Sequence, residues 1–323
     1  MRSGVGMGAG MDVGMKPLVV RVGAASAAEA IGESRRALDR PLGAEVELSV
    51  VQITTEATVL GAFQRPSDAG ECRGPLLRRS SGGPFVTVGP GTLHVLLCLE
   101  HPAALVPCDP RRIVNRHVRP LLRALTKRGA LAHYFGRDWL SVAHRPVGEV
   151  GFAHDGVSRR TVFEAFVAVG YPFAPPSRPT FMSKLPGTLE AVTGRKFDGL
   201  DVAIADAYAE AAGRAVAPLP LEGGQPTGDE AGIDDPPWSA KAVEAIGVVA
   251  AGRDSSGTLR LGGELLASRD ALDRVAAQVA RLPPEATAED IGAIVDREMS
   301  APTVALDGVR DLATLRDVLA RGR

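Results

Sequence analysis

At 323 residues the chain is long enough for two domains or for one domain with an appendage, and its 45% apolar content supports a substantial core. A formal net charge of −1 and an aromatic content of 4% argue against a nucleic-acid binder, a base-stacking platform or a membrane-surface binder. Cys72, Cys98 and Cys108 stand at no paired or CxxC spacing, so neither a disulfide framework nor a zinc site is indicated, and a cytoplasmic location is expected.

In chain order, residues 1–15 are rich in Gly and Met without the apolar core of a signal peptide, and read as a disordered leader. Residues 18–22 form a strand and 27–38 an Ala-rich helix. Residues 45–53 alternate Val46, Leu48 and Val50 against Glu45, Glu47 and Ser49, the period of a half-buried strand. A further strand at 58–60 runs into a turn at Gly61. Then comes Arg78-Arg79-Ser80-Ser81-Gly82-Gly83, followed by strands at 85–88 and 93–97 that read as a hairpin about Gly89-Pro90-Gly91. Glycines let backbone approach a ligand, their amides can face an anion, and arginines fork onto phosphate or carboxylate. An anion-binding loop at a sheet edge and a plain Gly-rich hairpin with two solvated arginines are the two readings of this string.

Residues 110–128 carry Ile113, Val114, His117, Val118, Leu121, Leu122 and Leu125 at helical spacing, with arginines and Lys127 on the wet side. His117 falls on the apolar side as a core histidine, and Pro120 implies a kink or two shorter pieces. Strands are predicted at 130–134, 139–144 and 161–169, with a hairpin region at 148–160. A proline-rich connection at 172–179 leads to a helix at 199–213. Residues 217–237 mix Pro, Gly, Asp and Glu without apolar period and read as a linker. Beyond it come strands at 242–251 and 258–261, a helix capped by Ser268, a helix opened by the box Thr287-Ala288-Glu289-Asp290, and a last helix at 309–319. The division is thus a leader at 1–15, a main domain at 16–216, a linker at 217–237 and an accessory domain at 238–323.

Arg78 to Gly83 resembles the Arg-Arg-x-Ser/Thr-Gly-Gly-Gly signature of lipoate-protein ligases and their biotin-ligase relatives, and Gly91-Thr92-Leu93 is similar to the Gly-Asn/Thr-Leu of that superfamily's next strand. Upstream, Gly61, Gln64 and Pro66 match Ile-Gly-Arg-x-Gln-Asn-Pro. Downstream, Gly136-Arg137-Asp138-Trp139-Leu140 resembles Gly-Arg-Asn-Asp-Leu. The resemblance spans about residues 45–320. It implies an α/β (α+β) fold with a mostly antiparallel sheet and a small C-terminal accessory domain that swings on adenylate formation about the 217–237 hinge. It also implies ATP-dependent activation of lipoate or a related acid, with magnesium, and transfer to a lysine of a lipoyl-domain or glycine-cleavage-type carrier protein. By the same resemblance, Arg78, Arg79, Ser80, Ser81, Gly82 and Gly83 would hold the adenylate, Gly61 and Gln64 would lie near the acyl tail, and Asp138 would lie near the metal.

The departures fall where the chemistry sits. The family's lysine, in a context like Lys-Val-x-Gly-Ser-Ala, falls on Gly148 or Pro146, and neither supplies charge. A positioned cation offsets the meeting of a carboxylate with ATP, and losing one such group costs on the order of 100 to 1000-fold in rate. Arg137 or Arg145 are the candidate replacements. The third glycine is Pro84, the family's His-Asp is Val88-Gly89, its His-His-Gly is Phe163-Glu164-Ala165, and the second residue of its Asn-Asp is Trp139. Neither Cys98 nor Cys108 matches the cysteine of the superfamily's octanoyltransferases. Two functions follow: a lipoate ligase, or a catalytically idle relative that binds a lipoyl group, a carrier protein or a nucleotide. An arginine at 137 or 145 aimed at Gly82-Gly83 would favour the first. An apolar plug from Phe152, Val88 or Trp139 would favour the second.

Overall fold

Side-chain alternation along the central strands sorts two kinds of residue onto two faces of one sheet, and the rest of the fold covers those faces. The structure, a computed structural model, describes residues 16–70, 72–173, 184–221, 225–228, 230 and 236–323. The leader, most of the proline-rich connection and parts of the expected linker lie outside the described residues.

The elements run β1 (Leu18–Ala25), α1 (Ala27–Arg36), β2 (Val46–Ile53), β3 (Ala57–Leu60), β4 (Leu76–Arg78), β5 (Val86–Val88), β6 (Thr92–Leu99), α2 (Ile113–Lys127), β7 (Ala132–Tyr134), β8 (Trp139–Val142), β9 (Arg145–His154) and β10 (Thr161–Ala168). They continue as α3 (Leu189–Thr193), α4 (Leu200–Ala212), β11 (Val216–Pro218), β12 (Ala240–Val243), β13 (Val248–Arg253), β14 (Leu259–Gly263), β15 (Leu266–Ala267), α5 (Arg269–Ala280), α6 (Ala288–Met299), β16 (Leu306–Asp307) and α7 (Ala313–Gly322). An eight-stranded sheet has the order β11-β1-β2-β6-β10-β9-β8-β7, parallel at its first two pairings and antiparallel at the rest, and a small sheet has the order β4-β3-β5. This is the expected α/β class with a mostly antiparallel sheet.

The register places Leu48, Leu97, Phe163 and Phe152 side by side on one face, where they pack in one core with Leu121 and Leu125 of α2 and Ile204 and Tyr208 of α4. The opposite face aligns Ser49, Leu96, Glu164 and Gly151 in one row and Val51, His94, Phe166, Glu149 and Trp139 in the next. Val51 and Phe166 there join Ala30 and Ile31 of α1, Val59 of β3 and Val86 of β5 in a second core. The helix face is therefore apolar, whereas this second face holds buried carboxylates.

Several expectations are corrected. Strand β2 is not half-buried: Glu47 and Ser49 are buried too, because α1 and the small sheet cover the face that was expected to be wet. Strands β5 and β6 are not a hairpin, since β5 pairs with β3 and β6 joins the large sheet. Residues 145–154 form a central strand between β8 and β10, so the hairpin turn is confined to the residues after His154. Residues 242–251 break into β12 and β13 around a turn in which Gly247 has φ 129°. Pro120 sits inside one continuous α2 because it is buried on the packed side and the helix retains the rest of its ladder. The capping box at Thr287–Asp290 is present, but the Ser268 hydroxyl accepts instead from the Ala305 amide at 2.9 Å.

Described residues of the 217–237 stretch are tied to β1 of the main sheet, to α1 and to β4 of the small sheet. Leu219 donates to the Val20 carbonyl at 2.9 Å, Thr227 to that of Ala28 at 3.1 Å, and Glu230 to that of Leu76 at 2.7 Å. The C-terminal elements are bolted on by Arg65, which stacks over Trp238 at 3.7 Å and donates to the Arg253 carbonyl at 3.0 Å.

His117 is the core histidine expected of it. Its Nε2 donates to the Pro102 carbonyl at 2.9 Å, its buried Nδ1 has no hydrogen-bond partner, and burial pushes its pKa down to about 4. The unfolded chain therefore binds this proton more readily, so stability is full above about pH 6.5 and declines as pH falls toward 4. At about 1.4 kcal/mol per pH unit that decline is worth roughly 3 kcal/mol. Urea midpoints across this range are expected to fall in the natural chain and to fall less in His117→Gln.

Candidate functional site

The site is a buried polar network at the end of β4, where the expected signature loop folds onto the second face of the sheet. Arg79 is 1% exposed. Its Nη2 donates to the carbonyls of Gly82 at 2.9 Å and Pro84 at 3.0 Å, its Nε donates to that of Ser81 at 3.3 Å, and its guanidinium lies 5.2 Å from the Phe166 ring. Ser81 Oγ donates to Glu164 Oε2, while the other oxygen of Glu164 lies 2.7 Å from His94 Nε2. His94 stacks on Phe166 at 4.9 Å. Burial opposes charge on Glu164, but His94, Arg79 and Ser81 more than offset it and hold the carboxyl below its ordinary value.

The glycine amides of the loop are engaged by the protein's own backbone. Gly82 N donates to the Phe152 carbonyl of β9 at 3.0 Å, and Gly83 N donates to the Leu265 carbonyl, between β14 and β15, at 2.9 Å. A Cβ at Gly61 would overlap the Gly83 carbonyl oxygen, and one at Gly82 would overlap that of Leu265. Gly83 itself sits at φ 98°. These glycines allow close approach of backbone to backbone, the same property that would admit a ligand.

The remaining expected residues divide between this network and the surface. Gln64 is buried and its Oε1 accepts from Gly61 N at 3.0 Å, while Ser80 N donates to Ser34 Oγ at 3.2 Å. Arg78 bonds outside the Gly82–Gly83 turn: its Nε donates to Glu230 at 2.5 Å and its Nη1 to the carbonyls of Gln64 at 2.5 Å and Gly61 at 3.3 Å. Arg145 is exposed and donates to the carbonyls of Pro186 at 2.8 Å and Leu185 at 3.3 Å. Arg137 lies within electrostatic reach of Asp138 and Glu149, and burial lowers its pKa. Asp138 is buried, and its carbonyl accepts from Val150 N at 2.6 Å. Among the described residues no group of three His, Cys, Asp or Glu is arranged to hold a metal ion.

A Cβ at Gly148 would run into the Phe166 carbonyl, so β9 has no room for a side chain at that candidate lysine position. The charged residue that β9 does present to this face is Glu149, buried beside Phe166 and Trp139 in the register. As folded, the loop offers a nucleotide triphosphate no free glycine amide: Gly82 N and Gly83 N are both engaged by backbone carbonyls, and the buried carboxylates Glu149 and Glu164 share this face with the buried Arg79. Burial lifts the Cys98 thiol to about 12 and that of Cys108 to about 11, which keeps both from serving as thiolates near neutral pH.

Glu149, the partners Phe152 and Leu265, and the clasp by Glu230 are absent from the sequence-derived site. His94 and Glu164 carry a usable signal, since each is the one histidine or acid in a strand that is otherwise apolar after its leading threonine. The backbone carbonyls carry none.

One cleft adjoins the network. It has a volume of about 280 Å³ and runs between α1 and the sheet, with Ser49, Val51, His94 and Leu96 beneath and Arg21, Arg36 and Arg40 on its more exposed side.

At the level of sequence, no family model and no curated protein matches the chain. Solved structures do. The chain is similar to LipL1 of P. falciparum, solved in complex with lipoate, over 94% of this chain and 98% of that one, at 11% identity and a TM-score of 0.58. It is also similar to a bipartite lipoate-protein ligase from Thermoplasma acidophilum, described with its E2 lipoyl domain, over 65% of this chain and 88% of that one, at 12% identity and a TM-score of 0.51. A lipoate-protein ligase A bound with ATP overlays 64% of the chain at 11% identity and a TM-score of 0.49. The chain has the fold of lipoate-protein ligases.

Proposed function

We propose that this chain is a binding protein on a ligase fold, one that takes up a lipoate-like acid or a lipoyl-bearing carrier without activating the acid through ATP. The observation that supports this most is the engagement of both loop amides, Gly82 N by the Phe152 carbonyl at 3.0 Å and Gly83 N by the Leu265 carbonyl at 2.9 Å. A triphosphate would have to break both bonds and enter beside two buried carboxylates, while the one arginine of β9, Arg145, is exposed and donates to the Pro186 and Leu185 carbonyls. The cleft beside the loop offers an amphipathic acid a hydrocarbon contact on Val51 and Leu96, and its carboxylate would share Arg21, Arg36 or Arg40 with Glu47 and Glu33, their present partners. Lipoate and a lipoyl domain are the candidate ligand and partner because they accompany the two solved proteins that share the fold.

ATP-dependent ligation is the second reading. It is favoured by retention of Arg78 to Gly83 in the family's order and by an overlay that spans 94% of the chain. It would require both amide bonds to open, magnesium beside Asp138, and Arg137 or Arg145 in place of the lysine.

ATP–pyrophosphate exchange with lipoate, octanoate and biotin in turn separates the two. The expected result is exchange no faster than background with each acid, while calorimetry detects lipoate binding that weakens in Leu96→Arg. Exchange that depends on one acid would establish ligation and name the substrate.

A further inference from the structure

The two edges of the large sheet are finished differently. Strand β11 ends at Pro218, a residue that cannot donate to an incoming strand. Strand β7 is bare at the opposite edge: it pairs with β8 on one side, and among the described residues no strand pairs with its other side. Alternation then puts Ala132 inward and Leu131, His133 and Phe135 outward, with Leu131 62% and Phe135 58% exposed. His133 stacks on Phe135 at 5.8 Å, Phe135 lies 6.3 Å from Trp139, and Lys184 stands 6.0 Å from the Trp139 ring. Leu185, also exposed, follows Lys184. An open strand edge beside solvent-facing apolar groups marks an interaction surface, because soluble chains otherwise cover or charge such edges.

The charges around the edge select the occupant. Arg128 at the end of α2, Arg145 at the β8–β9 turn, and Lys184 are its exposed or half-exposed cations, and Arg137 stands beside Phe135 and Trp139 in the chain. The acids in reach are Asp138, which is buried, Asp307, which is half-buried and within electrostatic reach of Tyr134, Asp198, which is exposed beside Arg128, and Glu210, which is held by Lys127 at 2.9 Å, so the exposed cations outnumber the carboxylates left open to solvent. Two copies of this surface would repel each other. We propose that β7 is a docking edge for an acidic, extended segment of another protein, which adds to the sheet as a further strand, sets apolar side chains on Leu131 and Phe135, and turns its carboxylates toward Arg128, Arg145 and Lys184. Leu131, His133 and Phe135 share the face of the sheet that carries Trp139 and Glu149, the face of the site described above. The inference does not depend on whether the chain ligates or only binds.

The test uses the full chain and dye-labelled peptides of alternating glutamate and valine, with alternating lysine and valine as the control, read by fluorescence anisotropy. The expected result is binding of the acidic peptide alone, weakened by salt, and weakened at least about tenfold in Phe135→Asp and in Leu131→Asp. Both side chains are exposed, so both variants are expected to keep the natural circular dichroism spectrum. Absence of acidic-peptide binding, equal binding of the lysine peptide, or binding unchanged in both variants would overturn the proposal. So would a dimer in sedimentation that Phe135→Asp dissolves, since the occupant would then be a second copy of the chain. Pyrophosphate exchange, which decides the reading of the cleft, leaves each of these outcomes unaffected.

Discussion

Arg79→Met is expected to lower the unfolding free energy by about 3–5 kcal/mol, the range for removing one charge from a buried compensated group. The guanidinium donates to the carbonyls of Ser81, Gly82 and Pro84, and its charge helps to hold Glu164 ionised. Methionine fills much of the volume and restores none of these interactions, so three buried carbonyls lose a donor and a buried carboxylate loses a neighbouring cation. Denaturant unfolding with an unchanged slope measures the effect. If Arg79 instead waited in an open cleft for an adenylate, its loss would change stability by no more than about 0.5 kcal/mol and would appear only in ligand binding.

Gly82→Ala has the second large expected effect. The added methyl would overlap the Leu265 carbonyl and lie 3.1 Å from Phe63 Cε2, and its nearest obstacle is backbone rather than a flexible side chain. Relief requires the 263–266 segment to withdraw, which breaks the bond from Gly83 N to Leu265 O and loosens the C-terminal elements from the main sheet. A loss of roughly 1–3 kcal/mol is expected, with faster proteolysis in the stretch before Trp238. An unchanged melting temperature and unchanged proteolysis would mean that the loop stands clear of the C-terminal elements.

The class of fold was legible through the resemblance carried by Arg78 to Gly83, and the positions of many strands and helices were legible because helical spacing and turn residues are local properties. The α2 pattern from Ile113 to Leu125 and the glycines that flank α4 are both found where the sequence places them. Burial of Glu47 and Ser49 was not legible, since it depends on α1 and the small sheet closing over that face. The same holds at the site. Arg78 and Arg79 are adjacent and chemically alike, yet one bonds Glu230 from a distant stretch and the other turns into its own loop. Pairing by Phe152 and Leu265 is invisible in sequence because any residue supplies a carbonyl. The absence of a lysine from β9 was visible, and at Gly148, one of the two positions on which it would fall, the Phe166 carbonyl leaves no room for a side chain.

Amide hydrogen exchange at Gly82 and Gly83, followed by NMR with and without ATP, magnesium and lipoate, tests the engaged loop most directly. Slow exchange at both amides, unchanged by the nucleotide, is the expected result, because each amide is bonded to a buried backbone carbonyl. Fast exchange in the free protein, or protection of both amides that arises only when ATP is added, would contradict it and return the loop to phosphate binding.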